Sequence, residues 1–303
     1  MDIVAVFNRD GGTFKTTDMS AFEAKVVEVF SAAGHKIDCC IVSGDKVVEA
    51  LGEAADRPEI DCIVAGGGDG TISAAARCAW KSGKALGVVP AGTMNLFARS
   101  LSLPLDILDA LEALASGEIE SIDIASANGQ TFIHQFSAGM RSRMVRLREA
   151  REYGSRLSKI WATIRVAFIV MAKPPRFEIT FKIDGREGTQ KISALSISNN
   201  EFGEDPLMYA ERLDGGHLGV YMAAPLTFRS ASHLAFDILR GRLKDNSSVT
   251  ALATSEIRLH FPRHRHGIRC VMDGELVAME QDILVKIHPG ELKVLTRRQD
   301  EGG

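Results

Sequence analysis

Several absences bound what this sequence can be. No apolar run is long enough to cross a bilayer: the longest, IWATIRVAFIVMA (Ile160–Ala172), carries Arg165 and falls short of the about 20 residues a spanning helix needs. There is no basic leader followed by an apolar stretch, because MDIVAVFNRDGG enters a strand-like run at once, so nothing directs the chain to secretion. Five cysteines (Cys39, Cys40, Cys62, Cys78 and Cys270) make an odd count without C-x-x-C spacing, as expected for reduced core thiols of a cytoplasmic protein. There is no excess of positive charge either: the net charge of -3 argues against general nucleic-acid binding. What remains is an ordinary globular composition, 45% hydrophobic and 25% charged over 303 residues, long enough for two domains.

Against that background the stretch VAGGGDGTISAAARCAW (Val64–Trp80) stands out. Glycine is favoured where the backbone needs unusual dihedrals or a close neighbour, so four glycines within five positions ask what comes so near the chain. Upstream, Ile60–Ala65 is a short β-branched apolar run; downstream, Ala74–Trp80 is alanine-rich and helix-prone. The segment therefore reads strand, glycine loop, helix, an arrangement that aims backbone N–H groups and the positive end of a helix dipole at an anion, commonly phosphate. No G-K-[ST] follows and the spacing is not G-x-G-x-x-G, which counts against both the P-loop and the ordinary dinucleotide loop. A plain strand-to-helix connection with surplus glycine is the alternative.

The first part of the chain alternates strand and helix. Strand-like runs at Ile3–Phe7, Lys36–Val42, Ile60–Ala65 and Leu86–Val89 are separated by helical patterns, one with Phe22, Val26, Val29 and Phe30 on a single face and Gly34 as its C-cap, the others at Val47–Ala55 and Ile72–Trp80. Such alternation predicts a parallel sheet with helices on both faces and a ligand site beyond the carboxyl ends of its strands. The glycine loop and PAGTMNLFARSL (Pro90–Leu101) both follow strand ends and are expected to line one cleft. After about Asn128 the texture changes to two-residue alternation, with paired strands around an Asp184-Gly185 turn and further runs HLGVYMAA, SEIRLHF, IRCVMDGELVAM and DILVKI. One long helical segment, Ser142–Met171, broken near Gly154 and stopped before Pro174-Pro175, interrupts this β-rich part.

Three separated pieces, GGGDGT (Gly66–Thr71), PAGTMNLFAR (Pro90–Arg99) and MDGE (Met272–Glu275), occur in that order, with FNRDGG near the start. Together they resemble the diacylglycerol kinase catalytic family, which includes bacterial soluble diacylglycerol kinases, YegS-like lipid kinases, and sphingosine and ceramide kinases. The resemblance covers nearly the whole chain. It implies an α/β fold: an N-terminal α/β nucleotide-binding domain with a parallel sheet over residues 1–128, and a C-terminal, mainly antiparallel β domain for the lipid substrate over residues 129–289. A final strand at about 290–298, with Leu292–Leu295 at its centre, returns to the first domain. ATP and magnesium are the cofactors it implies.

Roles follow residue by residue from that resemblance. Gly67, Gly68, Asp69, Gly70, Thr71, Ile72 and Ser73 match the ATP-phosphate loop, and Gly92, Thr93 and Asn95 match a second nucleotide loop. Asn8 and Lys15 are further nucleotide partners, although Arg9 stands where the family usually has proline. In MDGE, Asp273-Gly274 alone reads as a hairpin turn. Phosphoryl transfer to an alcohol also needs a base for the acceptor proton, and the family uses this glutamate, so Glu275 is the implied proton acceptor. Asp273 and Asp69 are the implied supporting acids, for magnesium or for orienting the hydroxyl. The family's acidic metal-binding segment is here LDGGHLG (Leu213–Gly219), in which only Asp214 remains as a metal ligand.

One further asymmetry concerns charge. Between Arg141 and Arg176 there are ten Lys or Arg against two acids, Glu149 and Glu152, a local excess of 10 − 2 = 8 positive charges. Interleaved with Met144, Leu147, Leu157, Ile160, Trp161 and Ile164, they suit an amphipathic helix on an anionic membrane surface, and RLHFPRHRHGIR (Arg258–Arg269) adds four arginines and no acid. The expected partner is thus a lipid substrate at an anionic membrane, not nucleic acid, with the protein cytoplasmic and peripheral to the inner face; assembly, a homodimer included, is left open. The competing readings are a soluble-metabolite kinase of the NAD-kinase type and a catalytically weakened lipid-binding regulator.

Overall fold

A computed structural model describes residues 1–149, 165–262 and 269–297. The chain divides into two compact units, Met1–Ile124 with Pro289–Gly303, and Ala125–His288.

In the first unit, β1 (Asp2–Asn8), β2 (Lys36–Val42), β3 (Cys62–Gly67) and β4 (Ala85–Pro90) alternate with α1 (Met19–Ala32), α2 (Val47–Asp56) and α3 (Asp69–Ser82). The strands lie in the order β2-β1-β3-β4, all parallel, and the last residues of β16 (Asp282–Thr296) extend the sheet by pairing Val294 with Leu86 in parallel. β3 and β4 are buried along their whole length, which is why they read as unbroken apolar runs rather than alternating ones. Helices pack as two pairs, α1 with α5 (Ile107–Ala115) and α2 with α3. The Asp18 and Asp106 carboxylates cap α1 and α5 by accepting two backbone N–H groups each, contacts worth about 1 kcal/mol per helix. From β1 the connections run outward to β2 and then back to β3, so the topological switch lies between β1 and β3, where open sheets of this kind bind ligands.

The second unit is a sandwich. One sheet is antiparallel throughout, in the order β12-β11-β10-β7-β14-β15. These are Val249–Thr254, Leu218–Ala223, Ala194–Asn199, Gln135–Gly139, Arg269–Met272 and Glu275–Ala278. The other joins the first half of β16 to β13 (Glu256–His260), β8 (Phe177–Ile183) and β9 (Arg186–Ile192). The hairpin β5 (Glu118–Ala127) and β6 (Gln130–Phe132) is paired through Ala125 and Phe132. Phe136, Ile197 and Val220 from one sheet and Ile179, Ile257 and Val285 from the other fill the core between them.

Several boundaries differ from the sequence reading. The helix expected from Ser142 begins at Met140 as α6 (Met140–Glu149), and helix is described again as α7 over residues 165–172; the expected break near Gly154 lies outside the described residues. A helix not anticipated in the β-rich part, α8 (Phe228–Leu239), starts with a capping box between Thr227 and Ser230. β16 is one strand of 15 residues, where the sequence reading had two, DILVKI and a final strand at about 290–298.

Candidate functional site

In the first unit, three chain segments meet at the switch point. Strand β3 continues through Gly66 and Gly67, which pair with Val89 and Pro90 of β4, and α3 already begins at Asp69. The expected glycine loop thus shrinks to Gly68 alone, because the sheet ladder holds the two preceding glycines. Each glycine has its own reason. A Cβ on Gly66 would lie 2.4 Å from the Phe7 ring and one on Gly67 2.7 Å from the Thr71 side chain, so both are required by the protein's own packing. On Gly68 a Cβ would meet nothing nearer than the Gly92 Cα at 3.6 Å, an ordinary contact. Gly68 is also the N-cap of α3, and no side chain caps this helix, leaving its positive end for an outside acceptor.

The second segment is Pro90–Leu96. Asn95, at φ 51°, folds it: its Oδ1 accepts the Gly92 N–H at 2.8 Å and its Nδ2 donates to the Gly92 carbonyl at 3.1 Å. The Asp69 carboxylate accepts from Leu96 N–H at 2.7 Å and Asn95 N–H at 3.2 Å, joining the start of α3 to the start of α4 (Leu96–Ser100). Gly92 is required here as well, since a Cβ would come within 2.7 Å of the Gly68 Cα. The third segment follows β1. Asn8 donates to the Thr71 hydroxyl at 3.2 Å, Thr13 N–H donates to the Ala91 carbonyl at 2.9 Å, and a Cβ on Gly11 would stand 3.5 Å from the Gly67 Cα. Phe14 packs edge-on to Phe7 at 5.7 Å and against Phe22 at 5.1 Å, pinning the short 3-10 turn Phe14–Thr16 that carries the exposed Lys15. Such aromatic pairs contribute about 0.5–1.5 kcal/mol each beyond burial.

The structure thus brings Asn8, Gly67, Gly68, Asp69, Thr71, Gly92 and Asn95 together. The Ile72 side chain is buried and its N–H closes the first helical turn on the Gly68 carbonyl at 3.1 Å, so Ile72 supports the helix start from below. Gly70 and Thr93 are exposed and Ser73 is half-buried.

In the second unit, MDGE is a hairpin: Met272 pairs with Glu275, and Asp273 and Gly274 carry φ values of 46° and 91°. The same Asx-Gly pattern of positive φ closes β5–β6 at Asn128-Gly129 and β8–β9 at Asp184-Gly185, so the turn itself carries no function. What distinguishes Asp273 is its carboxylate, which accepts the backbone N–H groups of Ile133, His134 and Gln135 at 2.9, 2.9 and 3.0 Å. Glu275, exposed at the head of β15, is left projecting from an anchored turn.

A polar cluster the sequence reading missed surrounds that anchor. The Gln135 side chain lies between Ser196 Oγ at 2.5 Å and the Arg141 guanidinium, whose two terminal nitrogens are 2.5 and 3.0 Å away when the carboxamide oxygen faces them. Burial pushes the Arg141 guanidinium below its ordinary range, and the Asp273 charge opposes that shift. Burial, reinforced by Arg141, pushes His134 down to about 3, so this imidazole is neutral at physiological pH. The clue in the sequence was His134-Gln135 inside the apolar run TFIHQFSA, polar side chains that need partners once buried.

The LDGGHLG segment is held by the protein's own side chains. Asp214 is engaged by Arg212 Nε and Nη2, both at 3.2 Å, and stands 65% exposed. His217 Nε2 lies 3.4 Å from Glu201, whose other oxygen accepts from Lys244, and Asn200 Oδ1 accepts the Gly215 N–H at 2.9 Å. A lysine ammonium, an imidazole and an arginine-bound aspartate do not fit magnesium, which takes carboxylates, carbonyls and water. Among the described residues no three His, Cys, Asp or Glu side chains cluster as a metal site. His260 pairs with Asp282 at 2.7 Å; His264, His266 and the centre of the basic amphipathic segment lie outside the described residues. Among the described residues no helix is long and apolar enough to cross a membrane.

Comparison with known proteins places this geometry. Residues 2–127 match the diacylglycerol kinase catalytic domain. A diacylglycerol kinase of Staphylococcus saprophyticus is 27% identical over 266 residues, covering 82% of this chain and 84% of its own length. That of Staphylococcus haemolyticus is 26% identical over 65% of this chain and 60% of its own length. The crystal structure of a diacylglycerol kinase from Bacillus anthracis str. Sterne superimposes with a TM-score of 0.72 over 98% of this chain and 97% of that one, at 16% identity, which shows a shared fold.

Proposed function

Because the chain belongs to the diacylglycerol kinase catalytic-domain family and is a lipid kinase, we propose that it transfers the γ-phosphoryl group of ATP to a hydroxyl of a membrane lipid. The observation that carries this reading is the uncapped start of α3 beside Gly68, where, unlike at Gly66 and Gly67, the surrounding protein leaves room for a Cβ. Backbone N–H groups at an open helix start suit phosphate oxygens. Asp69 and Asn95 hold the two loops in register around that space, and Asn8 fixes Thr71. Lys15, on its pinned turn, is the cation available to neutralise phosphate charge.

In this reading Glu275 accepts the proton of the lipid hydroxyl as its oxygen bonds to the γ-phosphorus. The bond from phosphorus to the bridging oxygen breaks, and ADP leaves with that electron pair. Asp273 holds the hairpin that presents Glu275. Magnesium bound with the nucleotide would neutralise phosphate charge; the Asp69 and Asp273 carboxylates are already committed to backbone N–H groups. The acceptor, whether diacylglycerol, ceramide, a sphingoid base or another hydroxylated lipid, is met at the cytoplasmic face of an anionic membrane, to which the arginine-rich segments draw the protein peripherally.

The test is to incubate the protein with labelled ATP and vesicles made from a total lipid extract, then identify the labelled product. A phosphorylated lipid is expected. Label found only in water-soluble products would refute the reading.

A further inference from the structure

A cavity of about 250 Å³ opens at one end of the second unit's sandwich. Its floor is apolar, built by Phe177 and Phe261, whose rings stack at 6.2 Å, and its rim carries Arg143, Arg146, Arg176 and Arg269. The arrangement is built in. Gly139, at φ 86°, leaves room for Phe177, for a Cβ there would lie 2.6 Å from the ring. Arg143 donates to the Lys173 carbonyl and Arg176 to the Leu226 carbonyl at 3.2 Å, contacts that orient two guanidinium groups without neutralising them.

Among the described residues none of the four arginines has an acidic partner, and Glu178 is the single acid on the lining, so 4 − 1 = 3 positive charges stand around an apolar floor. Like charges gathered this closely repel one another unless an anion joins them. Arginine's planar fork suits phosphate oxygens, and the aromatic floor beneath suits hydrocarbon. The volume is below that of a pocket for a whole drug-sized ligand, enough for a headgroup and the first carbons of a chain.

We propose that this cavity binds an anionic phospholipid, its phosphate on the arginine rim and its proximal acyl carbons over Phe177 and Phe261. Arg269 and Glu275 stand at opposite ends of the β14–β15 ladder, with their side chains on opposite faces of the sheet. The bound phospholipid holds the second unit at an anionic surface. This is a binding claim, and it stands or falls without any measurement of phosphoryl transfer.

The experiment is calorimetric titration of the intact protein with dihexanoyl phosphatidylglycerol below its micelle concentration, beside dihexanoyl phosphatidylcholine and inorganic phosphate. Saturable binding of the anionic lipid is expected, with both comparison ligands weaker by on the order of tenfold or more. The double variant Arg146→Gln/Arg269→Gln, at two exposed side chains, should weaken the anionic lipid by a similar factor and leave the thermal midpoint unchanged. Equal affinity for both lipids, phosphate binding as tightly as the lipid, or an unaltered double variant would each overturn the proposal.

Discussion

Asp273 and Gln135 are bonded to each other twice: the Asp273 N–H donates to the Gln135 carbonyl at 3.0 Å, and the Gln135 N–H donates back to the Asp273 carboxylate at 3.0 Å. With Ile133 and His134 also donating to that carboxylate, the turn bearing Glu275 is fastened to the chain entering β7. Asp273→Asn places an NH2 group where one carboxylate oxygen accepted N–H donors, and leaving a buried donor unpaired costs about 1–3 kcal/mol. Thermal stability and turnover are expected to fall together, with no recovery at raised magnesium. Recovery of turnover by magnesium at unchanged stability would show that the carboxylate holds the metal instead.

The glycines of the proposed nucleotide loop separate packing from ligand approach. Gly67→Ala pushes a methyl group into the Thr71 side chain at 2.7 Å and should destabilise the fold by about 1–3 kcal/mol. Gly68→Ala finds room at 3.6 Å from Gly92, so its thermal midpoint should match the wild type while ATP affinity drops by tenfold or more. Calorimetry with and without ATP checks both; wild-type ATP affinity in Gly68→Ala would remove phosphate from this loop.

Much of this was legible in the residues. Parallel strands read as apolar runs because β1, β3 and β4 are covered on both faces, and Asp184-Gly185 and Asp273-Gly274 named two hairpins because positive φ selects those residues. The glycine stretch and Pro90–Leu101 also meet, as their places after two strand ends suggested. What the residues did not reveal was pairing. A carboxylate that binds metal and one that binds two or three N–H groups look alike in a sequence, so Asp69 and Asp273 read as acids for magnesium or for orienting the hydroxyl, and their backbone partners were not visible. Helix α8 was hidden by its Arg229, Ser232 and His233, although Thr227 three positions before Ser230 signalled its start. Gly66 and Gly67 read as loop because only their pairing with Val89 and Pro90 of the next strand shows that they belong to β3.

Acid should unfold the second unit partly through His134. Its folded pKa is depressed to about 3 from an ordinary value near 6.5, so the stability it contributes is present above pH 6.5 and is lost as pH falls toward 3. The loss approaches about 1.4 kcal/mol per pH unit while only the unfolded chain takes the proton. His134→Gln, which does not titrate, should flatten the stability profile between pH 6 and pH 4. An unchanged slope in denaturant titrations would place His134 in contact with water.

Removing divalent metal should leave the nucleotide-free protein intact, because Lys244, Glu201 and His217 hold the segment where an acidic metal loop would stand. Chelator is expected to leave the thermal midpoint unchanged, and Asp214→Asn to be nearly silent. Lys244→Ala should cost under about 1 kcal/mol, as for other partly exposed ion pairs. A clear drop in the midpoint on chelation would reveal a metal site.

The central claim is that Glu275 accepts the proton of the lipid hydroxyl, and Glu275→Gln tests it most directly. The amide keeps size and hydrogen-bonding shape at an exposed position, so thermal stability and ATP affinity should be those of the wild type. Turnover on lipid vesicles should fall by about 10²–10⁴-fold, the usual contribution of a general base. Near wild-type turnover in Glu275→Gln, with ATP affinity unchanged, would contradict the assignment and leave MDGE as a hairpin turn alone.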